Sequence, residues 1–347
     1  MLLTSLIGFG VSIGPADAKS LGGYPLCEAS AAIPINCPDG QACILVADNE
    51  IRDTLFRFRV RDDKIDVDSR TALRFVSRRR DNGPARASRV TISDVEALAN
   101  GELDRVLIVG SHSRNHECKS RKKRRRYVFG RLRVEDIGPD PAGVTNTKKR
   151  TTCSQLFVAF ASPWPEEVNR LCARLTETEV LAERARKEAP LCSGDALNIE
   201  AAVSVIADRG EREYWLGLRA PLVDGKAPLV RLDTTRSHLA FDRVRLIDLG
   251  HRGWRELATA GPDIYGIAGP ATDAGDGAFE LVRFSIDSLA GDGPIAVSTI
   301  GKPLPRSSEG LAIVGEVAFV MTDGVLVRGG ESCRQPSKYF TRRLPDG

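Results

Sequence analysis

The sequence has few aromatic residues and few histidines. Phe, Trp and Tyr together make up 6% of the chain, and histidine occurs four times. The cysteines include no Cys-x-x-Cys pair, which is the usual basis of a structural zinc site. These absences argue against a zinc-binding framework.

Long apolar runs and common catalytic motifs are also absent. After the N-terminal region, no segment approaches the roughly 18 consecutive apolar residues of a transmembrane helix, so none is predicted. The chain contains no Gly-x-Ser-x-Gly nucleophile motif and no phosphate-binding P-loop motif. The net charge of +4 is too small to indicate a polyanionic partner by itself.

The first 18 residues have the features of a secretory signal. The apolar stretch Leu2–Gly14 is too short to span a bilayer, and Ala16-Asp17-Ala18 matches a small-x-small cleavage site, although no Lys or Arg precedes the apolar stretch. We predict a signal peptide at 1–18, a single domain at 19–347, and a periplasmic or secreted location.

The eight cysteines also indicate an oxidising compartment, because even numbers of cysteines in exported proteins usually form disulfides. The pairs that we predict from position are Cys37–Cys43 across a hairpin, Cys172–Cys192 within an insertion, and Cys27–Cys333 between the two ends of the chain.

A short unit recurs five times along the chain. Each copy has an acidic residue followed by small and apolar residues, and then a β-branched or aromatic run such as Val106–Val109. A third segment carries an Arg in register, as in Leu281-Val-Arg283-Phe284. The acidic residues that open the copies are Glu28, Glu96, Glu200, Glu256 and Glu309.

Four short strands per unit, with units about 50 residues apart, are typical of propeller blades. We therefore predict an all-β fold, a β-propeller of four-stranded blades, with five blades favoured over six. The alternative is a β-sandwich built from the same strands.

One segment interrupts the repeat, at about 138–193. Within it, Glu166–Ala189 is rich in helix formers and places Val168, Leu171 and Leu175 on one face. We predict a helical insertion packed on the propeller. The alternative is a solvated linker helix.

The geometry of a propeller brings distant parts of this sequence together. Because consecutive strands of a blade run antiparallel, the start of each first strand and the end of each second strand emerge on the same face. The five opening glutamates should therefore surround the axis together with residues that follow the second strands, which are Asp48, His112, Arg114, Asn115, Arg219 and Asp323.

Converging carboxylates repel one another unless they are protonated, paired with cations or bound to a metal. We predict a divalent cation, Ca²⁺ or Mg²⁺, at a metal site formed by Glu28, Glu96, Glu200, Glu309 and Asp323. A small anionic ligand would contact Asp48, Arg114, Asn115, Arg219, Lys226, Arg252 and Arg255, since Arg binds phosphate and carboxylate through two hydrogen bonds. The alternative is an internal ring of salt bridges that sets the register of the blades. No organic cofactor is indicated.

The second copy differs from the others, because only there does a histidine stand beside the predicted axis. If the protein is an enzyme, Glu96 and His112 are the candidates for proton transfer, and Arg114 and Asn115 would hold the substrate. The alternative is a turn whose polar side chains cap backbone groups. The basic run 119–126 is interpreted as a solvated loop, and the alternative is attraction to an anionic substrate or to acidic lipid or polymer surfaces. Export and the lack of interleaved aromatic residues argue against nucleic acid.

An ordered set of motifs resembles a family of exported bacterial proteins, the domain of unknown function 3616 family, from about Cys27 to Gly324. The motifs are Asp94-Val-Glu-Ala97, Gly110-Ser-His-Ser-Arg-Asn115, Asn198-Ile-Glu-Ala201, Gly217–Lys226 and Asp248–Gly253. The resemblance implies a propeller-like fold and no established activity. The Asn-Ile-Glu opening is also similar to that of phytase-like esterase propellers, which implies a phosphoester alternative by analogy of fold. Ala201 and His251 depart from the glycines usual in the family.

Three functions are therefore carried forward. The first is a binding module for a metal ion or small anion at the axis, and the second is a metal-assisted hydrolase of phosphate or carboxylic esters. The third is a scaffold that contacts another envelope protein through the helical insertion.

Overall fold

The computed structural model describes residues 18–79, 86–89, 91–102, 104–114, 118–119, 126–139, 145–146, 152–188, 196–207, 210–236, 238–272, 277–327 and 331–345. The predicted signal peptide up to residue 17 and Asn115 lie outside these ranges, as does most of the basic run 119–126. In the described part of the chain, no helix is long and apolar enough to cross a membrane.

The described residues form five four-stranded blades. Blade 1 contains β2 (Ala29–Asn36), β3 (Ala42–Asp48), β4 (Thr54–Arg61) and β5 (Lys64–Arg79). Blade 2 contains β7 (Val95–Asn100), β8 (Arg105–Gly110), β9 (Arg126–Leu132) and β10 (Asp136–Pro139). Blade 3 contains β12 (Asn198–Ile206), β13 (Arg212–Ala220), β14 (Ala227–Leu232) and β15 (Phe241–Ile247). Blade 4 contains β16 (Arg252–Ala260), β17 (Asp263–Pro270), β18 (Glu280–Ser285) and β19 (Ser298–Thr299).

Blade 5 joins the two ends of the chain. Its strands are β20 (Ser308–Val314), β21 (Val317–Thr322), β24 (Lys338–Arg343) and the N-terminal β1 (Lys19–Ser20). The outermost strand β1 pairs antiparallel with β24, and the disulfide Cys27–Cys333 fastens the same junction. The ring is thus closed by strand pairing and by a covalent bond.

Additional short strands pair with strands of the blades or with each other. β6 (Arg86–Arg89) pairs with β5, β11 (Thr145–Asn146) pairs with β9, and β22 (Val325–Leu326) pairs with β23 (Cys333–Gln335). The outer strands β5 and β10 run parallel and hydrogen-bonded, which joins blades 1 and 2 in one sheet.

The first strands of the blades surround the axis in the order β2, β7, β12, β16 and β20, and β20 packs against β2 again. An apolar cluster fills each of the five interfaces between neighbouring blades. Each blade is covered on both faces, which explains the continuous apolar run in β8. Leu107 and Val109 pack toward blade 3, whereas Val106 and Ile108 pack toward blade 1. The prediction of a five-bladed propeller is confirmed.

The helical insertion lies between blades 2 and 3. It contains α1 (Cys153–Leu156) and α2 (Glu166–Glu188), and Val168, Leu171 and Leu175 of α2 are buried in the apolar cluster between those two blades. The helix is therefore packed on the propeller as predicted, and it is not a solvated linker. The insertion, predicted at about 138–193, follows β10, which ends at Pro139, and the segment includes the short strand β11.

Two of the predicted disulfides are confirmed and one is wrong. Cys37–Cys43 and Cys27–Cys333 are both present. Cys172 pairs with Cys153, because these residues of α2 and α1 face each other with their Cα atoms 5.5 Å apart. The disulfide thus links the two helices to each other. Cys118 is disulfide-bonded as well.

Candidate functional site

Each first strand carries a β-bulge close to its start, and β12 has a second register shift next to it, between Asn198 and Ile199. In β7, Val95 lies opposite Gly110 and Ala97 lies opposite Val109, which leaves Glu96 without a partner across the ladder. A bulge of this kind re-aims the side chain of the extra residue. The five bulged residues, here called the axial ring, are Ser30, Glu96, Glu200, Arg255 and Glu309 in the order of the blades.

The axial ring corrects the predicted alignment of two repeats. Glu28 lies two residues before the bulge of blade 1, and Glu256 lies one residue after the bulge of blade 4. Glu28 instead accepts a hydrogen bond from the backbone N–H of Leu326, at 2.9 Å, which attaches it to the β22–β23 hairpin. The ring therefore contains three glutamates, one arginine and one serine, not five glutamates.

Three members of the ring are joined by ion pairs. Arg255 is 5% exposed, and its Nη1 lies 3.0 Å from Oε2 of Glu200 while its Nη2 contacts Oε1 of Glu309. Oε1 of Glu200 also accepts hydrogen bonds from Arg219, at 2.9 Å, and from the side chain of Asn198, at 2.7 Å. We call Glu200, Arg255 and Glu309 the paired side of the ring.

Ser30 and Glu96 form the other part, which we call the open side. Glu96 is 9% exposed, and no hydrogen bond joins its carboxyl group to any residue in the described ranges. Burial raises the pKa of Glu96 well above its usual value, and the negative charges of Asp94 and Glu200 add to the effect while Arg255 opposes it.

Two further carboxyl groups with raised pKa values lie on the same face. Burial is the main cause at both positions, and it raises the pKa of Asp48 to about 6 and that of Asp323 to about 8. Asp48 accepts hydrogen bonds from the backbone N–H groups of Cys27 and Glu28, each at 2.8 Å, so it holds the entry into blade 1. Asp323 has a buried Oδ1 that receives no hydrogen bond in the described residues.

Glu256 occupies the axis beside the ring and is fully buried. Its oxygens accept the backbone N–H groups of Ala32 at 3.1 Å, Leu257 at 3.0 Å, and Ala202. These groups lie on the first strands of blades 1, 4 and 3, whose inner edges have no neighbouring strand to satisfy them. Burial raises the pKa of Glu256 well above its usual value. Its role is to connect three blades across the axis.

The polar side chains of the loop after β8 form hydrogen bonds with one another and with nearby groups of blade 2. Ser111 donates a hydrogen bond to the carboxylate of Asp94, and Oγ of Ser113 lies 2.8 Å from Oγ of Ser111. Nδ1 of the buried His112 lies 2.7 Å from the carbonyl oxygen of Gly110, and the residue has a φ of 58°. The predicted roles of Glu96 and His112 in proton transfer stay predictions.

Arg114 is directed toward the helical insertion. Its guanidinium pairs with Glu179 and, at 3.0 Å, with Glu183, both on α2, and it donates a hydrogen bond to the carbonyl of Cys118 at 2.7 Å. The side chain is 4% exposed. This residue, predicted to bind a ligand, therefore attaches α2 to blade 2.

The remaining predicted ligand-binding residues lie around blades 3 and 4. Lys226 is in the turn before β14, where its backbone pairs with Val223. Arg252 pairs with Glu280 at 2.7 Å and borders a cavity of about 560 Å³ next to Pro270.

The five residues predicted to bind a metal do not form a preformed metal site. In the described part of the chain, no group of three or more His, Cys, Asp and Glu side chains is placed so that it could hold a metal ion. Glu28 is engaged with Leu326, and Arg255 stands between Glu200 and Glu309.

Fold and site together define a five-bladed propeller with a charged axial ring. No protein family and no curated protein matches the chain significantly, so the resemblance to the 3616 family stays a prediction.

Three enzymes are among the solved structures whose backbone is similar to that of this chain. Levansucrase of Bacillus subtilis has a TM-score of 0.45 and 10% identity, over 94% of this chain and 86% of that one. A GH43_1 enzyme of Xanthomonas citri has a TM-score of 0.39 and 9% identity, over 93% and 89%. An oxidoreductase described as a glucose dehydrogenase, from Thermus thermophilus, has a TM-score of 0.40 and 14% identity, over 93% and 99%. Likenesses this distant say nothing about activity.

Proposed function

We propose that the protein is an exported binding module that takes a small positively charged ligand at its axial ring. The observation that carries this proposal is that several oxygen acceptors on the face of the axial ring receive no hydrogen bond from the described residues. Within the described residues, the carboxyl group of Glu96, Oδ1 of Asp323 and Oδ1 of Asn198 receive no hydrogen bond. Buried polar atoms are nearly always hydrogen-bonded in proteins, so unfilled acceptors indicate a missing donor.

The charge on this face also favours a cation over an anion. The carboxyl groups of Glu28, Asp48, Glu96 and Asp323 lie near one another, since Glu28 raises the pKa of Asp48, Glu28 and Asp48 raise that of Asp323, and Asp323 raises that of Glu96. The arginines closest to the axis, Arg219 and Arg255, are both in ion pairs with Glu200. An anionic ligand would have to displace one of these carboxylates, whereas a cation would relieve the repulsion between the others.

Export is part of the same proposal. The disulfides Cys27–Cys333, Cys37–Cys43 and Cys153–Cys172 are typical of proteins in oxidising compartments. The signal peptide at 1–18 and the periplasmic or secreted location stay predictions.

A scaffold function would require a large exposed apolar surface. On α2, the exposed apolar side chains that lie next to each other are Val180 and Leu181, which form a small patch.

A thermal-shift screen at constant ionic strength tests the proposal. Ca²⁺, Mg²⁺, methylguanidinium and propylammonium, each as the chloride, represent cations, and the sodium salts of phosphate and acetate represent anions. We expect at least one cation to raise the midpoint of unfolding, because a ligand at 100 times its Kd stabilises the folded state by about 2.7 kcal/mol.

The matched control variants are Glu96→Gln and Glu316→Gln. Glu316 is exposed in the turn between β20 and β21, where it pairs with Arg343. We expect Glu96→Gln to lose most of the cation-dependent shift and Glu316→Gln to keep it. Stabilisation by phosphate or acetate, with none by the cations, would contradict the proposal.

A further inference from the structure

The axial ring has two positions that are flanked by glutamates on both sides. Around the ring, Arg255 of blade 4 lies between Glu200 and Glu309, and Ser30 of blade 1 lies between Glu309 and Glu96. All of these residues occupy the same bulge in their first strands. The two positions are therefore equivalent in backbone and in the type of ring residue on either side, and they differ in the side chain that fills them.

The position of blade 4 shows what a guanidinium does in this ring. Nη1 of Arg255 pairs with Glu200 and Nη2 pairs with Glu309, so two nitrogens of one planar group neutralise the carboxylates of two flanking blades. The ring of Phe279 lies 5.6 Å from the guanidinium carbon and adds a cation–π contact.

The position of blade 1 offers the same flanking acceptors without a cation. Ser30 has a short, uncharged side chain whose hydroxyl donates to the carbonyl of Val95, at 2.5 Å. Glu96 receives no hydrogen bond in the described residues although it is nine-tenths buried. The second oxygen of Glu309 also has no donor among the described residues, because Arg255 contacts Oε1.

We propose that the position at Ser30 binds the guanidinium or primary ammonium group of an organic ligand, which bridges Glu96 and Glu309 as Arg255 bridges Glu200 and Glu309. This inference rests on the proposed cation-binding function and names the class of ligand. The ligand's N–H groups would supply the donors that Glu96 and Glu309 lack.

The arrangement suits an organic cation better than a metal ion. A divalent metal requires several oxygen atoms within about 2.0–2.6 Å of one point. The described residues contain no such set of three ligands, whereas N–H donors that point in different directions can reach carboxylates on separate blades.

Isothermal titration calorimetry on the full chain tests this assignment. The probes are methylguanidinium and propylammonium, with neutral methylurea as the isostere of methylguanidinium and CaCl₂ as the metal. We expect methylguanidinium or propylammonium to bind the wild-type protein at least tenfold more tightly than methylurea. Equal affinity for methylguanidinium, propylammonium and methylurea would overturn the inference.

Three variants locate the site. Glu316→Gln, at an exposed position away from the ring, should bind like the wild type, whereas Ser30→Arg places a tethered guanidinium between Glu96 and Glu309 and should weaken binding at least tenfold. Since Ser30 is 1% exposed, the larger side chain could prevent folding, and Glu96→Gln provides the independent measurement. Glu96→Gln should also weaken binding about tenfold or more, and wild-type affinity in this variant would overturn the inference.

The titration with Ca²⁺ distinguishes failure of this inference from failure of the proposed function. If Ca²⁺ binds and neither organic cation does, the ligand class is wrong while cation binding stands. If no cation binds at all, both are wrong.

Discussion

The paired and open sides of the axial ring share a backbone and differ in chemistry. On both sides, a bulge in the first strand aims one side chain at the axis. On the paired side, Arg255 satisfies Glu200 and Glu309. On the open side, Ser30 bonds to backbone, and the carboxyl group of Glu96 has no hydrogen bond among the described residues.

The comparison separates two interpretations that the sequence left open. A ring of internal salt bridges describes the paired side, where every charge has a partner on a neighbouring blade. By our proposal the open side is a ligand site, because burial disfavours the charge of Glu96 and binding of a cation would favour it. One repeated backbone feature thus serves stability in one part of the ring and, by our proposal, recognition in the other.

The largest expected effect comes from breaking the paired side with Arg255→Ala. Removing one partner of a buried ion pair leaves an uncompensated charge, and we expect the free energy of unfolding at pH 7 to fall by about 3–5 kcal/mol. Urea denaturation measures this change.

Arg343→Ala is the control for that measurement. Arg343 is 68% exposed and pairs with Glu316 and Asp63, at 3.1 and 3.3 Å. Exposed pairs contribute about 0–1 kcal/mol, so its loss should be small. Equal losses in the two variants would mean that the paired side does not hold the ring together.

Much of the fold could be predicted from the sequence, because strand segments with the same order recur and each must bury two faces. The run Val106–Val109 is apolar throughout for that reason. The helix face of Val168, Leu171 and Leu175 could be predicted from its spacing. The ion pairs of Arg114 could not, because they join the loop after β8 to a helix 65 residues further along the chain.

The sequence predicts in part which residue of each repeat belongs to the axial ring. Glu96, Glu200 and Glu309 were placed correctly, but alignment on acidic residues missed Ser30 and put Glu256 in the place of Arg255. A second signal was present in the sequence, because the pairs Leu98-Ala99, Leu257-Ala258 and Leu311-Ala312 each follow a ring residue by two positions. If the repeats are aligned on these Leu-Ala pairs, Arg255 stands at the position that Glu96 and Glu309 occupy in their own repeats. Ser30 has no such pair, since Ala32-Ile33 follows it.

A second prediction concerns the link between the two sides of the ring. Glu256, on the blade that carries Arg255, accepts the backbone N–H of Ala32 on the blade that carries Ser30. Glu256→Gln replaces one accepting oxygen with an NH₂ group that faces N–H donors. We expect a loss of about 1–3 kcal/mol, the cost of leaving a buried donor unsatisfied.

Urea denaturation of Glu256→Gln and Glu316→Gln provides the comparison. Glu316 is 66% exposed, and an exposed substitution of this kind usually changes stability by less than about 0.5 kcal/mol. If both variants match the wild type, the two sides are held together without Glu256.

The last prediction concerns the dependence of stability on pH. Asp323 lies at the junction of blades 5 and 1, and its pKa of about 8 results first from burial and then from the charges of Glu28 and Asp48. Since an unfolded aspartate has a pKa near 3.9, the folded state binds more protons between about pH 4 and pH 8. Asp323 therefore makes the protein less stable as pH rises through that range, with no further change above it. In Asp323→Asn this contribution is lost, so the variant should match the wild type near pH 4 and become progressively more stable than the wild type as the pH rises to 8. Thermal unfolding from pH 4 to pH 9 measures the difference. If the two curves of stability against pH run parallel, Asp323 is ionised in the folded protein. The junction of blades 5 and 1 would then already neutralise its acidic residues. In that case the open side would differ from the paired side less than the structure indicates.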